Sequence, residues 1–177
     1  MNAKKIFKNR GFTIVELLIV IVVIAILASI SSVAYVETQQ EARDARRKSD
    51  LTIIENAMKA YKMENGDFVT TGSGCGSGGN GQGWYNSPYG IYGTIDSCLV
   101  DSGALATSIV DPSGTTACAA SSEPCRTYMK YSCGEVTYLM ASLESEPSMI
   151  DGPTNGTCGS GLTYDTSYGM NYIVKVE

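Results

Sequence analysis

The apolar positions of this chain are concentrated in one uninterrupted run near its N-terminus. The twenty residues from Leu17 to Val36 carry no charge. At about 1.5 Å rise per residue, a helix of that length spans the roughly 30 Å hydrocarbon core of a bilayer. Ile and Val are frequent here and favour strand in water, but in lipid the backbone must satisfy its own hydrogen bonds, so helix is expected. We therefore predict a transmembrane helix over residues 12–36.

A helical pattern continues beyond the apolar run. No proline or glycine interrupts the chain between Glu37 and Asn65, and Gly66 supplies a stop. Apolar residues recur at helical spacing and form one stripe, Leu51, Ile54, Met58 and Tyr61. The pattern predicts one helix from Phe12 to Asn65, about 80 Å long. Its part over residues 37–66 is expected to be amphipathic and to pack on the remainder of the chain.

Residues 67–177 are predicted to form a globular head. Strand-favouring residues occur in three segments, Thr127–Tyr131, Val136–Glu144 and Met170–Val176, and a turn at Cys133-Gly134-Glu135 could join the first two as a hairpin. A long helix against such segments predicts an α+β fold with a small antiparallel sheet. Gly74 to Gly79 has the spacing GxGxxG but lies in a Gly/Ser-rich loop with no flanking strand and helix, so no nucleotide site is expected.

The composition argues against most enzymes and metal proteins. There is no histidine, which removes the commonest general base and metal ligand, and the formal charge of −5 does not favour nucleic acid. We expect no catalytic activity, no cofactor and no metal. The one alternative for a cation is calcium at the oxygen side chains of a late loop, Asp151, Asn155 and Asp165.

Six cysteines follow the apolar run, and none forms a CxxC pair: Cys75, Cys98, Cys118, Cys125, Cys133 and Cys158. An even number downstream of an export or membrane signal predicts disulfides in an oxidising compartment, and six cysteines allow 15 connectivities. Pairing of sequence neighbours would give Cys75–Cys98, Cys118–Cys125 and Cys133–Cys158.

The residues before the apolar run distinguish three interpretations. The first interpretation is a cleaved signal peptide, but the apolar core of such a peptide has about 7–15 residues and is shorter than this run. The second is a plain membrane anchor, which gives no reason for Glu16. The third is a chain that is cut just before the run and then pairs with neighbouring copies. A carboxylate in lipid costs several kcal/mol unless it is paired, so Glu16 is a functional candidate. Cleavage after Gly11 would give Phe12 a new ammonium group that could pair with such a carboxylate on a neighbouring copy.

The junction Arg10-Gly11-Phe12-Thr13-Ile14-Val15-Glu16-Leu17-Leu18 resembles the leader junction of type IV pilins and type II secretion pseudopilins. The resemblance implies a leader of residues 1–11, removed by a prepilin peptidase, N-methylation of Phe12, and a role for Glu16 in assembly. It also implies a pilin-like, disulfide-stabilised head and a membrane-inserted subunit, N-terminus in the cytoplasm and head outside.

The resemblance further implies partners, namely other pilin-like subunits, the prepilin peptidase, an assembly platform and membrane lipid. The expected function is that of a structural subunit of a type IV pilus or a secretion pseudopilus. The alternatives are a membrane-anchored binding or adhesion protein and, third, an anchored enzyme. Four basic residues after the apolar run, Arg43, Arg46, Arg47 and Lys48, are interpreted as a solvated helix face or as partners for acidic residues on adjacent subunits.

Overall fold

The computed structural model describes residues 11–69, 73–76, 81–87, 91–115, 125–133, 136–146 and 168–176, with the backbone alone for residues 30–34. The chain divides into two compact units, Met1–Gln39 and Gln40–Glu177. The first helix, α1 (Ile14–Asn65), contributes to both units. Its observed start lies two residues after the predicted Phe12, and its end at Asn65 is as predicted.

In the first unit, α1 presents apolar side chains to its surroundings. Every described side chain from Phe12 to Ser29 is exposed. Among the residues that the structure describes in full, no helix is both long enough and apolar enough to cross a membrane. The transmembrane span over residues 12–36 therefore stays a prediction.

In the second unit, α1 contributes the apolar stripe to a hydrophobic core. Leu51, Ile54 and Met58 are fully buried, and Tyr61 packs against the same core. The helix ends where Gly66 adopts a φ of +81°, a left-handed conformation that glycine takes without steric cost. The predicted packing of this part of α1 on the head is confirmed.

The head contains a four-stranded antiparallel sheet in the order β1-β2-β3-β4: Gly83–Trp84, Met129–Cys133, Val136–Ala141 and Tyr172–Val176. Cys133 pairs with Val136, so β2 and β3 form the expected hairpin, whose turn residues 134–135 lie outside the described part. Alternate residues face the core against α1, among them Tyr128, Leu139 and Val174. The α+β class is confirmed.

Two elements were not anticipated from the sequence. Strand β1 has only two residues and is defined by its pairing with β2. A short helix, α2 (Ile95–Asp101), buries Ile95 and Leu99 and begins at Thr94, whose Oγ1 accepts a hydrogen bond from the Ser97 amide at 2.8 Å.

A disulfide joins Cys75 to Cys98, as sequence neighbours were predicted to pair. It connects the Gly-rich segment to α2. Cys125 is also disulfide-bonded, and none of the described cysteines is free. The predicted pairings that involve Cys118 and Cys158, and the calcium ligand candidates Asp151, Asn155 and Asp165, lie outside the described residues.

Candidate functional site

The predicted cleavage junction lies immediately before α1. Gly11 and Phe12 are both exposed, and 84% of the Phe12 surface is accessible. A Cβ atom placed on Gly11 would meet nothing within 4 Å, and its backbone is not in the left-handed region. The described part of the fold therefore shows no steric or conformational requirement for glycine at this position.

Thr13 and Glu16 form a reciprocal cap at the start of α1. Glu16 Oε2 accepts hydrogen bonds from the Thr13 amide at 2.7 Å and from Thr13 Oγ1 at 2.9 Å. In return, the Glu16 amide donates to Thr13 Oγ1 at 3.2 Å. This is the capping-box arrangement, which satisfies amide groups that have no partner inside a helix.

Glu16 therefore stabilises the start of α1, a structural role in addition to the predicted role in assembly. The spacing Thr-x-x-Glu before an apolar run is itself a known signature of a helix start, and it could have identified Thr13 from the sequence. Both side chains are exposed, so the carboxylate that the cap holds is also accessible to a neighbouring molecule. The pairing of Glu16 with a neighbouring subunit stays a prediction.

The surface that follows the cap is almost entirely apolar. Its exposed large residues include Ile14, Val15, Leu17, Leu18, Ile19, Val20, Ile21, Val22, Val23, Ile24, Ile26 and Leu27, each with about half or more of its surface accessible. An apolar patch larger than a few hundred Å² marks a surface that contacts membrane or protein. The described side chains from Ile14 to Leu27 therefore form a surface of the kind that contacts membrane or protein.

The second unit contains a cluster of ion pairs centred on Arg47. This side chain is fully buried, and its guanidinium binds Asp111 through two bonds, Nε to Oδ2 at 2.7 Å and Nη2 to Oδ1 at 3.1 Å. Nη1 donates to Asp44 Oδ1 at 2.9 Å and to Glu144 Oε1 at 2.8 Å. Burial alone would lower the pKa of Arg47, but the carboxylates of Asp111 and Glu144 outweigh it and raise that pKa.

Glu144 also forms an ion pair with a second arginine, Arg43. Arg43 Nε donates to Glu144 Oε1 at 2.7 Å, and its Nη2 binds the other carboxylate oxygen. The hydrogen bonds from Arg43 lower the pKa of Glu144 to about 2, against an opposing effect of burial and with further help from Arg47. Planar guanidinium groups suit this two-point contact with a carboxylate, which lysine cannot reproduce.

Asp44 connects the same cluster to the residues that follow β3, Glu144 and Ser145, through hydrogen bonds. Its carboxylate accepts hydrogen bonds from the amides of Glu144 and Ser145 and from Ser145 Oγ, all at 2.8–2.9 Å. Burial would raise the pKa of Asp44, but these donors lower it below its ordinary value. The loop after β3 is therefore fixed to α1 by both backbone and side-chain contacts.

The interpretation of the basic cluster as a solvated face is wrong for Arg47, which is fully buried. Arg43, Arg47 and Lys48 each form an ion pair with an acidic residue in the head of the same chain, namely Glu144, Asp111 and Glu146. The apolar stripe of α1, extended backwards in steps of three and four residues from Leu51, reaches Arg47 and Asp44. That extension is the sequence signal that could have placed both side chains on the buried face.

Known proteins match this chain over part of its length. Residues 6–32 match the family described as the prokaryotic N-terminal methylation motif. The chain is 37% identical over 67 residues to the type II secretion system core protein G of Escherichia coli (strain K12), covering 38% of this chain and 46% of that protein. It is 34% identical over 71 residues to the protein of the same name from Vibrio cholerae serotype O1, covering 40% and 49%.

The chain thus spans about half the length of the curated relatives it matches. No solved structure matches it. The match to the methylation motif contains Gly11, Phe12 and Glu16, and it confirms the resemblance on which these three residues were selected.

Proposed function

Because its N-terminal segment is that of the pilin and pseudopilin family, we propose that this chain is a structural subunit of a type II secretion-type pseudopilus or a related type IV pilus. In this proposal a prepilin peptidase removes residues 1–11 and methylates the amine of Phe12. The mature subunit then assembles with other pilin-like subunits through the first part of α1. The head is a structural module and not a catalyst.

The observation that carries the proposal is the junction at Gly11. It belongs to a matched methylation motif, and the fold has no steric or conformational requirement for glycine there. A glycine that the fold does not require, at an exposed junction, is consistent with a peptidase cleft that admits only a small side chain.

The apolar surface of unit one has two successive environments in this proposal. Before assembly, the charge-free run over residues 17–36 lies in the membrane, with the N-terminus in the cytoplasm and the cysteine-rich head outside. After assembly, the same Ile, Val and Leu surface is buried against other subunits at the centre of a filament. Both environments remove from water the large apolar area that unit one exposes.

Glu16 would change partners between these two states. In the single chain its carboxylate is held by Thr13. In the filament it would pair with the ammonium group of Phe12 from a neighbouring subunit, because two opposite charges in an apolar bundle are far more favourable together than apart. A pair of this kind would also fix the axial register of each added subunit.

The experiment is intact-mass and N-terminal analysis of the protein expressed with a prepilin peptidase. We expect a mature chain that begins at N-methylated Phe12. The variant Gly11→Leu should stay uncut, whereas the matched control Gly11→Ala, which adds a single methyl group, should be cut at least in part. An uncut wild-type chain that nevertheless reaches the surface would instead support a membrane-anchored binding protein.

A further inference from the structure

A groove of about 390 Å³ opens in the head between α1 and the segment that follows α2. Its walls are mostly apolar, and they include Ile53, Asn56, Ala57, Leu105, Thr107 and Ile109. Ile53 keeps 45% of its surface exposed, although it lies on the part of α1 that packs on the core. The groove is therefore an apolar opening at the edge of the core that the described residues do not fill.

The wall of the groove opposite α1 is fixed by backbone contacts. The Leu105 amide donates to the Leu99 carbonyl at 2.9 Å. The Ile109 amide donates to Asp96 Oδ1 at 3.0 Å, and its carbonyl accepts from Asn86 Nδ2 at 2.9 Å. Because these contacts hold the wall in place, a ligand that enters the groove does not have to order it first.

A second apolar feature of the head is the side chain of Ile91. It is 94% exposed, more than any other large apolar side chain in the described part of the chain. Tyr92 follows it and is 38% exposed. The two residues together present an aliphatic side chain and an aromatic ring with a hydroxyl group.

The chain next to this pair is firmly held. The Gly93 amide donates to the Gly74 carbonyl at 3.2 Å, and the Gly93 carbonyl accepts from the Gly76 amide at 2.8 Å. The disulfide joins Cys75, between these two glycines, to Cys98 in α2. Ile91 therefore projects from a base that is fixed by a disulfide and two hydrogen bonds, which lowers the entropy lost when it enters a partner.

We propose that Ile91 of one subunit inserts into the groove on the head of a neighbouring copy, and that this contact repeats head to tail along the filament. Tyr92 then lies beside the two polar side chains of the groove, Asn56 and Thr107. An aliphatic residue followed by tyrosine matches walls that are apolar with a few polar groups. The inference rests on the proposed function as a filament subunit.

The symmetry of such a contact fits a filament. Ile91 and the groove are different patches of the same molecule, so each copy can offer one patch to each of two neighbours. A contact of this heterologous kind can continue into an open filament, whereas a patch that binds its own equivalent closes as a dimer.

The small size of the contact limits where it forms. Specific, stable interfaces bury about 1,200–2,000 Å² in total, far more than one inserted side chain and its surroundings provide. The contact therefore does not hold two free subunits together. It adds to the burial of the apolar surface of residues 14–27, which brings neighbouring heads to a high effective concentration.

The test is site-specific photo-cross-linking in full-length chains that carry p-benzoylphenylalanine in place of Tyr92. Irradiation of sheared filaments should give a ladder of dimers, trimers and higher products. Mass spectrometry of the cross-linked peptides should place the second attachment point within residues 53–57 or 104–109.

Two variants and a matched control test the contact itself. Ile91→Ser removes the inserted side chain, and Ala106→Trp fills the groove from an exposed position on its wall. Each should reduce cross-linking at least about tenfold, because the residue that fills a central pocket dominates such a contact. Met63→Ser also removes an exposed apolar side chain, 82% accessible and outside the groove, and should leave the ladder unchanged.

The outcomes separate this contact from the proposed function. A ladder that stops at the dimer, or an attachment point outside the groove, would overturn the head-to-tail contact. Filaments that assemble without the cross-link would overturn the contact alone. A wild-type chain that is cleaved but never assembles would overturn the proposed function and this contact with it.

Discussion

At the scale of single residues, Glu16 has two roles that substitutions can separate. A glutamine at this position can still accept the hydrogen bonds of the capping box, because Gln is compatible with that motif. It cannot pair with an ammonium group as an ion. Glu16→Gln loses only the negative charge, whereas Glu16→Ala loses the charge and the capping hydrogen bonds. Comparing the two variants therefore separates these two contributions.

We expect both Glu16→Ala and Glu16→Gln to be inserted and cleaved but poorly incorporated into filaments. The loss of a buried ionic partner costs about 3–5 kcal/mol at every subunit added. Thr13→Val removes the hydroxyl contacts of the cap, at about 1 kcal/mol, but keeps the Glu16 carboxylate, and it should assemble. The measurement is the ratio of sheared or secreted protein to membrane-bound protein. Normal incorporation of Glu16→Gln would contradict the charge pairing.

Arg47 is the residue whose loss should most destabilise the head. Arg47→Met would leave Asp44 and Asp111 buried without their cation, so the free energy of unfolding should fall by about 3–5 kcal/mol. Arg46→Met is the matched control. The Arg46 side chain is 63% exposed, and its Nε lies 3.7 Å from Asp50 Oδ2. Its loss should therefore lower the free energy of unfolding by less than about 1 kcal/mol.

Denaturant titration of both full-length variants in detergent measures this difference. Arg47→Lys is a useful third variant, because lysine keeps the charge but cannot bind Asp111 with two parallel bonds. Its stability should lie between those of the wild type and Arg47→Met. Equal stability of Arg46→Met and Arg47→Met would show that the buried cluster has no special energetic role.

At the scale of elements, the disulfide between Cys75 and Cys98 fixes the Gly-rich segment to α2. The two residues are 23 positions apart, and closing a loop of this size typically stabilises a fold by about 2–4 kcal/mol. The double variant Cys75→Ser, Cys98→Ser should lose that amount in thermal or denaturant unfolding. Its remaining cysteines should stay unreactive to thiol reagents without reductant. An unchanged unfolding midpoint would contradict this prediction.

The elements that the sequence predicted well are those with a long repeated pattern. Helix α1 has 52 residues and strands β2, β3 and β4 have five or six, so local preference and spacing identified them within a few residues. Helix α2 has seven residues, too few for a helical period to be distinguished, and β1 exists only through its pairing with β2. Such elements depend on tertiary contacts that a local pattern does not contain.

The buried ionic cluster escaped sequence analysis for a different reason. Arginine and aspartate are mostly exposed, so a charged run on a helix is ordinarily read as a solvated face. Arg47 is buried because its partners come from residues 64 and 97 positions away. The Gly11 junction, by contrast, could be recognised directly, because its signal lies in contiguous residues of the chain.

At the scale of the whole molecule, the head should be sensitive to acid. The pKa of Glu144 is about 2 in the folded chain and ordinarily 4.5, so its contribution to stability is complete above about pH 4.5 and is lost as pH falls towards 2. A shift of this size corresponds to about 3 kcal/mol. The lowered pKa of Asp44 acts in the same direction.

Unfolding measured between pH 5 and pH 2.5 should show this loss. Glu144→Gln provides the comparison, because it cannot titrate. The variant should be less stable at neutral pH, since Arg43 and Arg47 lose a partner, and should show a smaller further decline in acid. Identical acid slopes for the two proteins would remove Glu144 as the cause.

The long sequence separation of the ionic contacts has a consequence for biosynthesis. Arg43 and Arg47 belong to the first third of the chain, whereas Glu144 is made 101 residues after Arg43. Contacts between such distant residues form late, because the loop between them must close before the contact can stabilise it. A growing chain therefore cannot complete its head until most of it has been synthesised. This delay places the final locking of α1 by Glu144 at the end of folding.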